Sequence, residues 1–309
     1  MARFLLYFLL TPLLFCTSCN NPAKEDNVSI INEKRIVDTF KKALNTVSLD
    51  HFYITLDSVT FAQLKSSDFI NSQYANLDQG IPDFTPINAS STSAYLRGKR
   101  QYIEILGPQN AFNEPVGKSG IGFALSEKKG FSLANAPKLH ETGTKFLKAA
   151  DTVSFSINNT AAVWYKAFYT YGMATNLSTW YAYYNPEFLG HLHDEEISVY
   201  TSEAFLKTAY NPKKLFNEIT GIEMYCNLAD HFRIARELQL LGCTLAGKNN
   251  NDLLYVVDGI KLSIRLDETL DKSKITTIAA TLNAPDHRTL TFKNLTIKNT
   301  GYQTVWSLN

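Results

Sequence analysis

Two side chains in the first third of the chain have the types for metal or acid–base chemistry: His51, in Asp50-His51-Phe52-Tyr53-Ile54-Thr55-Leu56-Asp57, and Glu104, in Tyr102-Ile103-Glu104-Ile105-Leu106. An imidazole and a carboxylate brought to one place have two uses. They share a divalent ion, which requires the neutral ring, or they form a hydrogen-bonded pair in which the carboxylate favours the imidazolium. His191 and His193, in Gly-His-Leu-His-Asp-Glu-Glu, offer further ligands, although His-x-His spacing is also common on solvated loops. No Ser-His-Asp or Cys-His set has spacing that supports a nucleophile, since Cys226 and Cys243 sit in apolar contexts flanking a predicted helix.

The elements that must position His51 and Glu104 read as strands. Successive side chains of a strand point to opposite faces, so Phe52, Ile54 and Leu56 share one face while His51, Tyr53 and Thr55 share the other. The same parity separates Ile103 and Ile105 from Tyr102 and Glu104. Each strand therefore has an apolar side for a helix to cover and a polar side that opens a pocket, with Tyr53, Thr55 and Tyr102 as lining. Ser58-Val59-Thr60 caps the covering helix, whose Phe61, Leu64, Phe69 and Ile70 lie over Phe52 and Ile54. An earlier amphipathic helix spans 33–47. Residues 76–93, rich in Asn, Ser, Pro and Asp, form a loop long enough to be a lid. Gly120-Ile121-Gly122 belongs to a strand whose glycines allow close backbone approach. The alternating, aromatic stretch 152–184 supplies core, with an aromatic wall to the pocket as a second reading and Tyr183 as its candidate.

The last third repeats the first. Tyr255 to Leu266 matches Tyr95 to Leu106 without gaps, and each is preceded by a strand and an amphipathic helix, Ile222 to Cys226 with Ala229 to Leu241 in the later copy. Three further runs of strand-forming residues fill 275–307 and end at Val305-Trp306.

A His on the first strand and a Glu near the end of a strand–helix–strands unit resemble the vicinal oxygen chelate (glyoxalase-like) superfamily. The run from His51 to the aromatic strand at 180–189 and Leu-Phe-Asn-Glu-Ile-Thr-Gly-Ile at 215–222 resembles a group of bacterial secreted proteins related to it. The resemblance covers about 49–268. It implies an α+β fold of repeated βαβββ modules forming curved mixed sheets, with helices outside, and one divalent metal held by His and carboxylate ligands from two paired modules. The first module offers His51 and Glu104. The second offers Ile222 and Ile264 by ungapped matching, or Glu223 and Arg265 by strand face, so its pair is incomplete, with His191 and His193 as substitutes.

At the N-terminus, Arg3 precedes an apolar run from Phe4 to Phe15, shorter than the ~20 residues of a spanning helix and of the length of a signal sequence. Cys16-Thr17-Ser18-Cys19 then resembles a lipobox with Cys19 as the lipidated residue. This reads as a signal peptide over 1–18, a polar tether over 19–32, a first glyoxalase-like region over 33–196 and a second module with C-terminal strands over 197–309. Lys24-Glu25-Asp26 resembles an outer-membrane sorting tag, with a solvated linker as the alternative reading. Loss of 1–18 removes one basic residue and balances the charges at 29 of each sign, which argues against a nucleic-acid partner. The expectation is a lipid-anchored protein of the bacterial envelope, at the outer membrane, that binds a small molecule or glycan fragment. The alternatives are a metal-dependent lyase, isomerase or dioxygenase, and a structural envelope lipoprotein.

Overall fold

A computed structural model describes residues 46–126, 147–149, 152–170 and 175–309. The expected signal peptide, Cys19, the expected tether and residues 33–45 of the expected 33–47 helix lie outside the described residues, and Thr46 and Val47 belong to a strand rather than a helix. Among the described residues no helix is long and apolar enough to cross a membrane.

Strand β1, Thr46–Thr55, leads into helix α1, Ser58–Lys65. The cap is Asp57, one residue earlier than the sequence indicates: its carboxylate accepts from the Val59 and Thr60 amides at 3.0 and 3.2 Å. A π-helical turn, Ile70–Tyr74, and strands β2 (Leu77–Asp78), β3 (Ser93–Arg97) and β4 (Tyr102–Leu106) follow. β4 returns parallel to β1, and the four strands lie in the order β2-β3-β4-β1. The second copy has the same connectivity: β10 (Phe216–Cys226), a long helix (Leu228–Leu240) capped by Asn227, then β11 (Thr244–Asn249), β12 (Asp252–Val257) and β13 (Ile260–Leu266). Its order is β11-β12-β13-β10, with β10 parallel to β13. The chain is thus α+β and contains two βαβββ modules, as the sequence implies.

Each module carries an antiparallel strand on the free side of its first strand, β5 (Ser119–Ser126) on β1 and β14 (Lys274–Asp286) on β10. Beyond β5 the first sheet continues with the aromatic strands β9 (Leu177–Tyr184) and β8 (Thr160–Thr170), then β6 (Leu147–Ala149) and β7 (Val153–Ile157). Beyond β14 the second adds β16 (Leu295–Leu308) and β15 (Thr289–Phe292). Two short helices, α2 (Pro186–His193) and α3 (Ser202–Leu206), connect the sheets in sequence; the Leu228–Leu240 helix is α4.

The module helices do not lie outside. α1 covers Phe52 and Ile54 of the first sheet, and its capping residues bond to the second sheet, where the Asn294 side chain donates to Asp57 at 2.9 Å. α4 packs on the second sheet through Ile234 and Leu238 and reaches β9 of the first through Glu237, which accepts from Thr179 at 2.7 Å and also from Tyr181. Both helices therefore share the layer between the sheets. A helix with a wide apolar face gains more by covering two sheets than one, at roughly 25 cal/mol per Å² of apolar surface removed from water. Trp306, fully buried, closes this layer and donates to Tyr74, which bonds Thr304. The first sheet's other face carries a second cluster in which Trp164 and Tyr184 pack with Phe188 of α2 and Phe205 of α3.

Candidate functional site

Strand parity puts His51, Tyr53 and Glu104 on the outer face of the first sheet, and all three line a cavity of about 470 Å³ there. In the β1–β4 register Tyr53 lies beside Glu104 and His51 beside Tyr102, so His51 and Glu104 are diagonal neighbours. They do not bond each other.

His51 pairs with Asp50. Its Nδ1 lies 2.7 Å from Asp50 Oδ2, which also accepts from Tyr184 at 2.6 Å, while Oδ1 accepts from Ser202 at 2.7 Å. Simple alternation would turn Asp50 inward with Phe52. The β1–β5 register shifts between Leu49 and His51, and this bulge puts Asp50 and His51 on the same side. Burial raises the Asp50 carboxyl, but the hydrogen bonds and charge of His51, with Tyr184 and Ser202, outweigh it and hold Asp50 below the usual carboxylate range. Since Nδ1 serves Asp50, Nε2 is the nitrogen left for the cavity. The imidazole stacks on Tyr102 at 4.3 Å and 9°, with Trp180 at 4.9 Å.

Glu104 is 9% exposed and accepts one hydrogen bond, from Tyr95 at 2.7 Å. Burial pushes its carboxyl up, with His51 and Tyr95 offsetting part of the rise. The floor is aromatic and depends on two glycines. Across β5, Tyr53 pairs with Gly120 and Trp180 with Gly122. A Cβ at Gly122 would lie 2.3 Å from Trp180, and one at Gly120 would lie 2.4 Å from Tyr53, so the bare backbone is what lets both rings lie down. The rings are 5.9 Å apart at 21°. Tyr53 is 8% exposed, and its hydroxyl makes no hydrogen bond even though Ser178 and Glu114 lie beside it. Burial, then the Glu114 charge, raises its pKa.

The loop between β4 and β5 forms the rim. Asn110 ties it together, donating to the Gly107 and Glu114 carbonyls at 2.7 and 2.9 Å and accepting from the Glu114 amide at 3.0 Å. This presents Glu114 and Lys118 to the cavity, ion-paired at 2.6 Å. The 76–93 segment is not the lid: β2 and an Asp78–Pro86 bridge fix it at the sheet's edge, away from the cavity.

The remaining candidates lie elsewhere. Tyr102 is buried beneath His51. Thr55 opens into a neighbouring cavity of about 120 Å³, where its hydroxyl and that of Ser119 are unpartnered. Tyr183 belongs to the inner layer, because the parity that turns Trp180 and Tyr184 outward turns it inward. His191 and His193 stand on α2, where residues two apart do not face one another; His193 Nε2 bonds the Ala204 carbonyl at 2.9 Å. Cys226 and Cys243 are free thiols.

A divalent ion of the kind the resemblance implies needs three or more protein ligands. Among the described residues no group of three His, Cys, Asp or Glu side chains is placed to hold one. The second module does not complete the set. Aligning the capping residues Asp57 and Asn227 puts Gly221 where His51 stands and Ser263 where Glu104 stands. Ile222 and Ile264 are core, and Glu223 accepts from Arg265 at 2.8 Å on the outer face. Among the described residues this arrangement supplies no chelating set of the kind the resemblance implies.

The chain belongs to a family of unknown function, DUF5829, whose model matches residues 49–308. No curated protein matches it. Among solved structures it is similar to a hypothetical protein from Staphylococcus aureus, at 10% identity and TM-score 0.41, over 74% of this chain and 88% of that one. It is also similar to a xylose isomerase-like TIM barrel/4-hydroxyphenylpyruvate dioxygenase fusion protein, at 9% identity and TM-score 0.36, over 74% of this chain and 33% of that one. At these scores neither likeness bears on chemistry.

Proposed function

We propose that this member of the DUF5829 family is a binding protein for a small organic molecule, seated on the Tyr53–Trp180 floor and held at the bacterial envelope by a lipid on Cys19. The observation that carries the binding reading is the Tyr53 hydroxyl, buried, unpartnered and lining a cavity of ligand size. An orphaned hydroxyl costs about 1–3 kcal/mol, a cost that a bound polar group removes. The anchor rests on the sequence around Cys19, and Lys24-Glu25-Asp26 favours the outer membrane. The twice-repeated βαβββ order, with a pocket on the free face of the first sheet, supports descent from the vicinal oxygen chelate superfamily.

Tyr53→Phe tests the reading. The variant should be more stable than wild type by about 1 kcal/mol in urea unfolding, because the orphan is gone, and should bind ligands from a small-molecule screen more weakly. A variant no more stable and no weaker in binding would overturn it.

The Asp50–His51 pair favours a second reading, an enzyme of lyase or isomerase type that moves a proton through His51 Nε2, oriented by Asp50 without a metal. Deuterium exchange from solvent into a bound ligand, abolished in His51→Gln, would distinguish it from binding alone.

A further inference from the structure

We infer that the cavity takes a small organic ammonium ion, its methyl or methylene groups on Trp180 and Tyr53 and its charge beside Glu104; this rests on the cavity being a ligand site. The argument is one of charge matching. Glu114 has Lys118 at 2.6 Å. Arg97, on the strand next to Glu104, is consumed by a bidentate pair with Asp78, both contacts at 2.7 Å. His51 lies between Asp50, at 2.7 Å, and Glu104, so even a protonated ring leaves one of those two carboxylates unmatched. Asp50 has three donors of its own. Glu104 has only the neutral Tyr95 hydroxyl, on one of its two oxygens. Among the described cavity residues it is the carboxylate that makes no ion pair, since His51 and Arg97 act on it only from beyond contact while each bonds another carboxylate, and it is nine-tenths buried.

A desolvated carboxylate over aromatic rings is suited to a cation whose charge is spread over alkyl groups. Such an ion loses little hydration on entry, is drawn to the ring faces and supplies the missing counter-charge. The second, independent observation is the Tyr53 hydroxyl, which can accept from an N–H or bond a ligand's polar tail. A neutral sugar would use the hydroxyl and the flat floor but would leave the charge of Glu104 unmatched.

The test uses choline and its uncharged isostere 3,3-dimethylbutan-1-ol, in which carbon replaces the quaternary nitrogen, titrated by NMR into the full-length protein and into Glu104→Gln. Choline should bind wild type at least about tenfold more tightly than the alcohol, and Glu104→Gln should erase that difference while binding the alcohol as wild type does. Glu223→Gln, which removes an equal charge from the outer face of the other sheet, should leave choline binding unchanged, and unfolding curves of all three proteins confirm that each is folded. Equal binding of the two compounds to wild type, or a preference that survives Glu104→Gln, overturns the ammonium assignment and leaves the binding-protein reading standing. Failure of both compounds to bind at millimolar concentration also overturns the assignment, and the stability of Tyr53→Phe together with its binding in the small-molecule screen then decides separately whether the cavity is a ligand site.

Discussion

The two βαβββ modules share strand order, helix position and an Asp or Asn cap, but the cavity of about 470 Å³ lies on the outer face of the first. In the second module the same face carries the Glu223–Arg265 pair, half-exposed and self-neutralising. Such a pair is worth roughly 0–1 kcal/mol and leaves nothing for a ligand to complete. In the first module the face is rimmed by the β4–β5 loop, floored by rings lying on Gly120 and Gly122, and left with a carboxylate outside any ion pair and an unpartnered hydroxyl. Connectivity supplies a platform; unsatisfied groups on one face make a site.

The largest expected effect breaks the link between the modules. Arg233 of α4, fully buried, bonds Asp230 and Glu237 and reaches the Leu177 carbonyl of the first sheet at 2.7 Å. Arg233→Met leaves two buried carboxylates without their cation and should cost about 3–5 kcal/mol in urea unfolding. If the sheets are less interdependent than this contact implies, two separate transitions will appear instead of one.

The next comparison is between glycines. Gly122→Ala drives a Cβ into the Trp180 ring and should cost about 1–3 kcal/mol and abolish ligand binding. At Gly221, the second-module counterpart of His51, the nearest atom to an added Cβ is 3.4 Å away. Gly221→Ala should be neutral or stabilising by under about 1 kcal/mol, since alanine loses less entropy than glycine in a strand. Equal effects at the two positions would remove the glycine floor as a distinguishing feature.

The smallest effect depends on pH. Burial raises the Glu104 carboxyl above its unfolded value, so the folded state holds the proton more firmly. The stabilisation this gives is complete below the unfolded pKa and is lost as pH rises through the folded one. Glu104→Gln should therefore match wild type near pH 4 and exceed it in unfolding free energy at pH 8. Glu223→Gln should lower stability by less than about 1 kcal/mol at pH 8.

Much of this site was legible in local pattern. Alternation placed His51, Tyr53 and Glu104 on one face, and the paired glycines of β5 signalled close approach. Asp50 was hidden because a bulge reverses parity for one residue, and no propensity marks where a register will slip. Trp180 was ambiguous because its role depends on β9 pairing parallel to β5, a choice between strands far apart in sequence. Tyr183 was misplaced for the same reason: periodicity separates two faces of a strand without saying which is inward.

The sequence by itself determined the two strand–helix–strands repeats, the apolar faces of β1 and β4 and the helix between them, since all of these follow from side-chain period and end-capping within a few residues. Only the tertiary structure decided that both helices lie between the sheets, that Asp50 rather than Glu104 bonds His51, and that Glu104 makes no ion pair. Those outcomes depend on which surfaces exclude water together, and desolvation and charge pairing are properties of the assembled layers rather than of any segment.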